Sequence, residues 1–176
     1  YFLYFLEDVF LTKKVDTKRV LALLEVLKKD HVSCLRLHPL PGPEKPYFSD
    51  RDLGVIRRDA SYRVSTMTAI WDKEAFIRLL KPGENAWQME IEGTKRSWLM
   101  DELFLSVWPE SPAVEYLVSA IKRGRWQYDA VLLCKREGVL VDLTHRLVET
   151  WWQYFNRKLE RTPILGWLYR LPRRLN

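Results

Sequence analysis

A strand, a helix and a second strand follow one another at the start of the chain, and this succession constrains the fold more than any other feature. Tyr1 to Leu6 is an unbroken aromatic and aliphatic run, which predicts a strand buried on both faces. Asp16 stands where the N-cap of an amphipathic helix is expected, and residues 31–37 predict the next strand. Such a unit implies a right-handed crossover and a partly parallel sheet, so we expect an α/β fold.

Length and composition fit a folded domain. The chain has 176 residues, of which 47% are hydrophobic, so it can bury a core of its own. Cys34 and Cys134 lie in apolar segments without metal-type spacing, which predicts reduced core thiols in a cytoplasmic protein. The apolar run at the N-terminus is too short to span a bilayer and has no signal-peptide features. Because the first residue is Tyr1 and not Met, we expect the natural protein to extend upstream and this chain to be a fragment.

The charge balance favours an anionic partner. The formal net charge is +6 and the sequence pI is about 9.3. A nucleotide diphosphate, nucleic acid or an acidic membrane surface would each suit that charge, and the charge alone does not choose among them.

The rest of the chain predicts further elements and one long irregular segment, which runs from His38 to about Asp52 and carries four prolines. In chain order these elements are a hairpin formed by 53–57 and 62–66, a helix capped by Asp72 and ended before Pro82, a strand over 103–108, an ambiguous segment over 115–121, a helix over 128–136 closed by Gly138, and an amphipathic terminal helix from Thr144.

The stretch from Pro82 to Gly93 predicts a short helix that carries a candidate general base. With Asn85 as N-cap and Gly93 at the end, Trp87, Glu90 and Ile91 fall on one face. Partial desolvation there would raise the pKa of Glu90 toward neutrality, as proton abstraction from a sugar hydroxyl requires. The alternative is a half-buried helix whose acids face water, and these residues alone favour that alternative.

Acidic and basic residues stand at two further places where phosphate chemistry is expected. Glu7 and Asp8 follow the first predicted strand, and open α/β sheets bind ligands beyond the carboxyl ends of their strands. Adjacent strand residues point to opposite faces, so one of the two acids would face a site unless the strand has already ended. Lys122, Arg123 and Arg125 surround a glycine turn, and a phosphate contact and a solvated cluster are equally good interpretations.

A set of short motifs in a fixed order resembles a known family. The motifs are Leu6-Glu7-Asp8-Val9-Phe10, Val15-Asp16-Thr17, Leu35-Arg36-Leu37-His38-Pro39, Tyr62-Arg63-Val64-Ser65, Ile70-Trp71, Gly83-Glu84-Asn85-Ala86-Trp87-Gln88-Met89-Glu90 and Arg123-Gly124-Arg125-Trp126. In this order they resemble the GT-A-type glycosyltransferase-like proteins of polysaccharide biosynthesis. The resemblance extends from Tyr1 to about Arg146.

The resemblance implies the fold and the activity. It implies a partial GT-A-like, Rossmann-like mixed sheet with flanking helices and a C-terminal amphipathic helix. Residues 1–146 would be the C-terminal half of the catalytic domain, and residues 147–176 would be the amphipathic helix and a basic, aromatic tail. The full-length protein would be a nucleotide-sugar-dependent hexosyltransferase that acts on a glycan or a lipid-linked acceptor.

The resemblance also implies roles for individual residues. Glu90 would be the catalytic base; Asp8 and Glu7 would bind Mn²⁺ or Mg²⁺; Lys122, Arg123 and Arg125 would bind the donor diphosphate; Trp87, Glu84 and Arg63 would bind the acceptor. Two departures matter. The acids form Glu-Asp before Val-Phe where the family has Asp-x-Asp, which leaves metal dependence open. The upstream strands that would hold the nucleotide are not in this chain.

Two other function classes remain open. Eight tryptophans and eight tyrosines on a basic chain would suit a non-catalytic module that binds nucleic acid or glycan, although no nucleic-acid motif is recognisable and no nucleic-acid partner is expected. The aromatic and basic residues of the last segment would suit a membrane-peripheral subunit, that is, a cytoplasmic protein bound at the inner face of the membrane. Packing of that segment against an upstream half would explain it equally well.

Overall fold

The computed structural model describes residues 1–160 and divides the chain into two compact units. The first unit consists of Tyr1–Glu7 and Leu11–Tyr116. The second consists of Asp8–Phe10 and the chain from Leu117 onward. The predicted domain boundary between residues 146 and 147 therefore falls inside the second unit.

The described residues form a mixed α/β structure. The strands are β1 (Phe2–Tyr4), β2 (Phe10–Leu11), β3 (Cys34–Arg36), β4 (Lys45–Tyr47), β5 (Asp50–Val55), β6 (Ala69–Trp71), β7 (Phe104–Val107), β8 (Tyr116–Leu117), β9 (Ile121–Lys122) and β10 (Arg125–Trp126). The helices are α1 (Thr17–Lys29), α2 (Lys73–Leu79), α3 (Ala86–Ser97), α4 (Tyr128–Arg136) and α5 (Trp151–Glu160). The predicted fold class, α/β with a mixed sheet, is confirmed at this level.

A six-stranded sheet in the order β1-β6-β3-β7-β5-β4 organises the first unit. β3 pairs with β7 in parallel, and every other neighbouring pair in this sheet is antiparallel. Because β6 runs against both β1 and β3, these two strands point in the same direction. The predicted strand–helix–strand unit is therefore present with one strand inserted between its two strands, and the expectation of a partly parallel sheet is confirmed.

The first strand is an edge strand, and the prediction that both of its faces are buried is wrong. Phe2 and Tyr4 are half-buried and pack against Phe76, with ring centroids 5.1 and 5.8 Å away. Leu3, on the opposite face, is 54% exposed. An edge strand has a neighbour on one side only, so fewer side chains are available to cover it. At the other edge, β4 contains Lys45 and Pro46 and ends in a register shift.

The core of the first unit lies between the sheet and helices α2 and α3. The indole of Trp71 is fully buried and meets Phe76 and Phe104 edge-to-face, at 5.2 and 5.7 Å between ring centroids. Leu79 and Met89 bring the two helices into the same cluster. On the other face, Leu3 and residues of α1 line a small apolar cavity of about 190 Å³.

The three helix starts predicted from capping residues are confirmed. Asp16 accepts a hydrogen bond from the backbone N–H of Arg19 at 3.1 Å, and Asp72 accepts one from Ala75 at 2.9 Å. Asn85 forms a capping box with Gln88, in which each side chain bonds the other residue's backbone N–H at 2.9 Å. Each cap satisfies N–H groups that the first helical turn leaves without partners.

Two predicted boundaries are wrong. Helix α3 does not end at Gly93 but continues to Ser97, because Gly93 is buried and a Cβ there would lie 3.4 Å from Val64 Cγ1. Glycine is therefore used for a close approach, not for a helix end. Residues 62–66 form no strand: Tyr62 has φ of +53°, and the carbonyl oxygens of Tyr62 and Arg63 accept hydrogen bonds from the Arg36 guanidinium.

The second unit contains a tight hairpin and two helices. β9 and β10 pair through a turn whose central residues, Arg123 and Gly124, both have positive φ. α4 is followed by Gly138 in the left-handed conformation, as predicted. The terminal helix begins at Trp151 rather than near Thr144, because Thr150 caps it through Gln153. Over residues 1–160 the structure contains no helix with the length and apolar character needed to cross a bilayer.

Candidate functional site

The edge of the sheet at which β1 and β3 end carries the first group of candidate side chains. Tyr4 in β1, Ala69 in β6 and Arg36 in β3 lie side by side in the sheet. One residue further on, the Leu37 N–H donates a hydrogen bond of 2.9 Å to the Thr68 carbonyl oxygen. The chain leaves β1 toward Glu7, and it enters β6 through residues 65–68. Polar side chains from three separate segments therefore meet beyond the carboxyl ends of two strands, the usual ligand side of such sheets.

Glu90 is fixed at this edge by three hydrogen bonds to one oxygen. Its Oε1 accepts from Thr66 N–H at 2.6 Å, from the Thr66 hydroxyl at 2.8 Å and from the Ser65 hydroxyl at 3.1 Å. Among residues 1–160 no donor reaches Oε2 with hydrogen-bond geometry. The side chain is half-buried. The three bonds hold the orientation of the carboxylate and leave its second oxygen available to a ligand hydroxyl.

Glu7 and Glu90 both act on the hydroxyl of Tyr4. Burial raises the pKa of Tyr4 above its ordinary value, and the negative charges of Glu7 and Glu90 raise it further. Tyr4 therefore stays a neutral donor near two carboxylates. Two of the residues that the sequence nominated, Glu7 and Glu90, thus influence the same hydroxyl electrostatically although 83 positions separate them.

A histidine and a tyrosine complete this edge. The His38 ring lies 4.2 Å from the Tyr116 ring, and His38 Nδ1 is 3.1 Å from the Val114 carbonyl oxygen. The Tyr116 hydroxyl accepts a hydrogen bond from Thr68 N–H at 3.3 Å, and burial raises its pKa. No sequence pattern predicts this pair, because His38 begins the irregular segment and Tyr116 lies in the ambiguous segment 115–121.

The helix face predicted for Trp87 is wrong. Trp87 is 66% exposed, whereas Met89, Gly93 and Ser97 are buried. Small residues let α3 approach the rest of the unit, so the helix turns that side inward and carries the indole outward. Trp87 instead lines an open groove of about 460 Å³ with Glu84 and six other residues of the segment from Lys81 to Glu92.

Glu84 and Arg63, the other two candidate acceptor-binding residues, are held by the protein itself. Glu84 pairs with Arg96, and that hydrogen bond lowers the pKa of the Glu84 carboxyl. Arg63 is 3% exposed, and its guanidinium donates to the carbonyl oxygens of Ser97 and Glu102 and lies 4.1 Å from the Phe104 ring centroid. Carbonyl groups therefore compensate the buried charge of Arg63.

Asp8, the principal candidate metal ligand, belongs to the second unit. Its backbone carbonyl accepts a hydrogen bond from Ala120 at 2.8 Å, and its Oδ2 accepts one from the Ser119 hydroxyl at 3.3 Å. The strand ends at Tyr4, so the expected alternation of Glu7 and Asp8 across a strand does not apply. Ser119 in turn lines a cavity of about 270 Å³ with Lys122 and Arg157. The second unit therefore places the Asp8 carboxylate next to the wall of a basic cavity.

The three candidate diphosphate ligands surround a larger cavity of the same unit. The β9–β10 turn sets Lys122 opposite Arg125, with Arg123 between them at the tip. None of the three is ion-paired within residues 1–160. They line a cavity of about 440 Å³ together with Gln127, Glu149, Gln153, Asn156 and Arg157. Unpaired cations around a polar cavity are what binding of an anion requires.

Arg157 differs from those cations because it is neutralised. It bonds both oxygens of Glu149, and its Nη1 lies 3.2 Å from Asp129 Oδ2. Its side chain is 13% exposed, and those of Glu149 and Asp129 are 6% and 18% exposed. Glu149 also accepts the backbone N–H of Tyr128 at 2.8 Å. This network fixes α5 to the start of α4 and forms the back of the basic cavity.

The ligand chemistry available for a metal is limited to isolated carboxylates. Across residues 1–160 no group of three or more His, Cys, Asp or Glu side chains is arranged to hold an ion. A single carboxylate such as Asp8 suits Mg²⁺ or Mn²⁺ when substrate phosphates supply further ligands.

Comparison with protein-family models, with curated proteins and with solved structures gave no match to this chain.

Proposed function

We propose that the protein transfers a sugar from a nucleotide-sugar donor to a hydroxyl of a glycan or lipid-linked acceptor, as a glycosyltransferase. The observation that carries the proposal is the Glu90 carboxylate. It is oriented by Ser65 and Thr66 and lies with Glu7 near the Tyr4 hydroxyl, beyond the carboxyl ends of β1 and β3. A fixed and half-buried carboxylate with one free oxygen is suited to general-base catalysis.

The proposal assigns proton transfer to the first unit. Glu90 Oε2 accepts the proton of the acceptor hydroxyl as that oxygen attacks the anomeric carbon of the donor sugar. The bond between the anomeric carbon and the diphosphate oxygen breaks, and its electron pair leaves with the nucleoside diphosphate. One displacement of this kind inverts the anomeric configuration. Tyr4, kept neutral by burial and by the two acids, is available to donate a hydrogen bond to a sugar oxygen.

The proposal assigns stabilisation of the leaving group to the second unit. Lys122, Arg123 and Arg125 are the unpaired cations of the cavity of about 440 Å³, and they would neutralise the departing diphosphate. Asp8 would hold Mn²⁺ or Mg²⁺, and that metal would add further charge neutralisation when bound. Trp87, exposed on its groove, would supply an apolar face on which an acceptor sugar can stack.

The finer fold assignment is part of the same proposal. We infer that the six-stranded sheet is the second half of a GT-A-like sheet. Support comes from the shared direction of β1 and β3, from the parallel β3–β7 pair, and from the position of acids directly after β1. A structure of the protein with a bound nucleoside diphosphate tests this inference.

The decisive experiment replaces Glu90 by Gln. Glutamine keeps an oxygen for Ser65 and Thr66 to donate to, but it cannot take a proton. Transfer of radiolabelled sugar to the acceptor should fall by about 10²- to 10⁴-fold while donor affinity is retained. Glu92→Gln, on the same helix in an exposed ion pair with Lys95, is the matched control and should retain turnover. Unchanged turnover in Glu90→Gln would remove Glu90 from this role.

Donor binding is tested separately by calorimetric titration with uridine and guanosine diphosphates, with and without Mn²⁺. Replacing Lys122, Arg123 and Arg125 by Gln should weaken binding at least tenfold, whereas Lys95→Gln should not change it. Binding that is steeply salt-dependent and equal for any polyanion would instead favour a basic binding module.

A further inference from the structure

Helix α5 presents its aromatic side outward and its polar side inward. Trp151 and Trp152 are each 63% exposed, and Phe155 is 38% exposed. On the opposite side, Arg157 is tied to Glu149 and Asp129, and Gln153 lines the basic cavity. A helix of a globular protein usually turns its apolar face toward the core. The reversed orientation of α5 leaves an amphipathic face that calls for an external apolar environment.

The exposed aromatic rings form an ordered plate, which we call the α5 aromatic plate: Trp151, Trp152 and Phe155. The Phe155 ring lies 5.2 Å from that of Trp151 and 6.0 Å from that of Trp152, with interplanar angles of 11° and 4°. These are offset-stacked geometries, so the three rings hold one another in place. Because the plate is ordered before any partner arrives, a partner does not have to order these side chains.

The same unit exposes further apolar side chains in the segment before α5. Leu140 is 99% exposed, Leu147 is 64% exposed and Val139 is 56% exposed. These side chains add to the exposed apolar surface of the second unit.

The charge of this part of the chain identifies the kind of partner. Residues 144–176 contain seven basic and two acidic residues, a net charge of +5 out of the chain's +6. On α5 itself, Lys158 is half-exposed, and its Nζ lies 3.5 Å from Asp129 Oδ2. Aromatic side chains beside basic ones on a short amphipathic helix are typical of segments that lie in the headgroup region of an anionic membrane.

We propose that the α5 aromatic plate docks on the surface of an anionic lipid bilayer. The ten residues of α5 would lie in the plane of the interface, with the indoles at the level of the headgroups. The proposal does not depend on sugar transfer. It concerns α5, whereas the proposed base lies in the first unit.

The test is co-sedimentation of the purified chain with vesicles of phosphatidylcholine containing about one third phosphatidylglycerol. Trp151→Ala/Trp152→Ala should lower the partition coefficient at least tenfold. Trp87→Ala, which removes an equally exposed indole from the first unit, should leave the partition coefficient unchanged. Lys158→Glu should weaken binding to the anionic vesicles severalfold, and pure phosphatidylcholine should bind the wild type much less.

A second measurement uses the wild type alone, so it does not depend on how the variants fold. Brominated lipids in the same vesicles should quench the tryptophan fluorescence of the wild type. Absence of quenching, or equal partitioning of the double variant and the wild type, overturns the proposal. So does a dimer that the double variant dissolves, or binding of soluble oligosaccharide that needs the same indoles, because each identifies a different occupant of the plate.

Discussion

Arg157→Met should destabilise the second unit more than any surface substitution. The variant keeps the length of the side chain but removes the cation that Glu149 and Asp129 share. All three side chains are less than one fifth exposed, so water cannot replace the lost partner. Removing one member of a buried ion pair costs about 3–5 kcal/mol, because the remaining charge stays buried without compensation.

Urea unfolding measures this loss. With a typical denaturant slope of about 2 kcal/mol per M, the midpoint for the second unit should fall by about 1.5–2.5 M. Because the two units can unfold separately, a measurement on the second unit alone should accompany the urea titration. Amide hydrogen exchange along α4 should become faster in Arg157→Met, starting with the Tyr128 N–H that donates to Glu149.

A matched control and a rescue decide the interpretation. Lys95→Met removes an exposed partner of Glu92, where both side chains are about half-exposed, and should cost less than about 0.5 kcal/mol. Adding Glu149→Gln and Asp129→Asn to Arg157→Met should recover part of the loss, since no uncompensated charge remains. A cost for Arg157→Met no larger than that of Lys95→Met would refute the reasoning.

Two further predictions concern helix α3 and the core of the first unit. Asn85→Ala removes the side chain that accepts from Gln88 N–H and should lower the free energy of unfolding by about 1 kcal/mol, measured by urea denaturation, with Asn156→Ala as a control away from any cap. Burial raises the pKa of Cys34 to about 12 from its ordinary value of 9.0. The native thiol should therefore resist a thiol reagent at pH 8 and react after unfolding. Above pH 9 the unfolded chain loses this proton first, so the free energy of unfolding should fall by up to about 1.4 kcal/mol per pH unit, a slope that Cys34→Ala should lack.

The helix starts could be predicted because their causes are local. Asp16, Asp72 and Asn85 each bond a backbone N–H three residues ahead, so a four-residue window contains the whole interaction. Strand neighbours have no such window. The insertion of β6 between β1 and β3 depends on pairings across more than thirty residues, and nothing in either strand's sequence identifies its partner.

The candidate site shows the same division. Glu90 could be nominated because it follows a capped helix start, but Ser65 and Thr66, which hold its carboxylate, lie about 25 residues earlier in a segment that the sequence predicted as a strand. The apolar residues Trp87 and Ile91 predict the wrong inward face for α3. The helix instead buries the face that carries Gly93 and Ser97, because these small residues allow the closest approach.

The two edge strands of the six-stranded sheet differ in how readily they can pair with a strand of another molecule. Edge strand β4 contains Lys45, Pro46 and a register shift, which together prevent a regular hydrogen-bond ladder with an additional strand. Edge strand β1 has no charged side chain, and its central residue, Leu3, is exposed. In concentrated solution, edge-to-edge pairing between molecules should therefore begin at β1. The substitution Leu3→Lys would be the simplest change that opposes this aggregation.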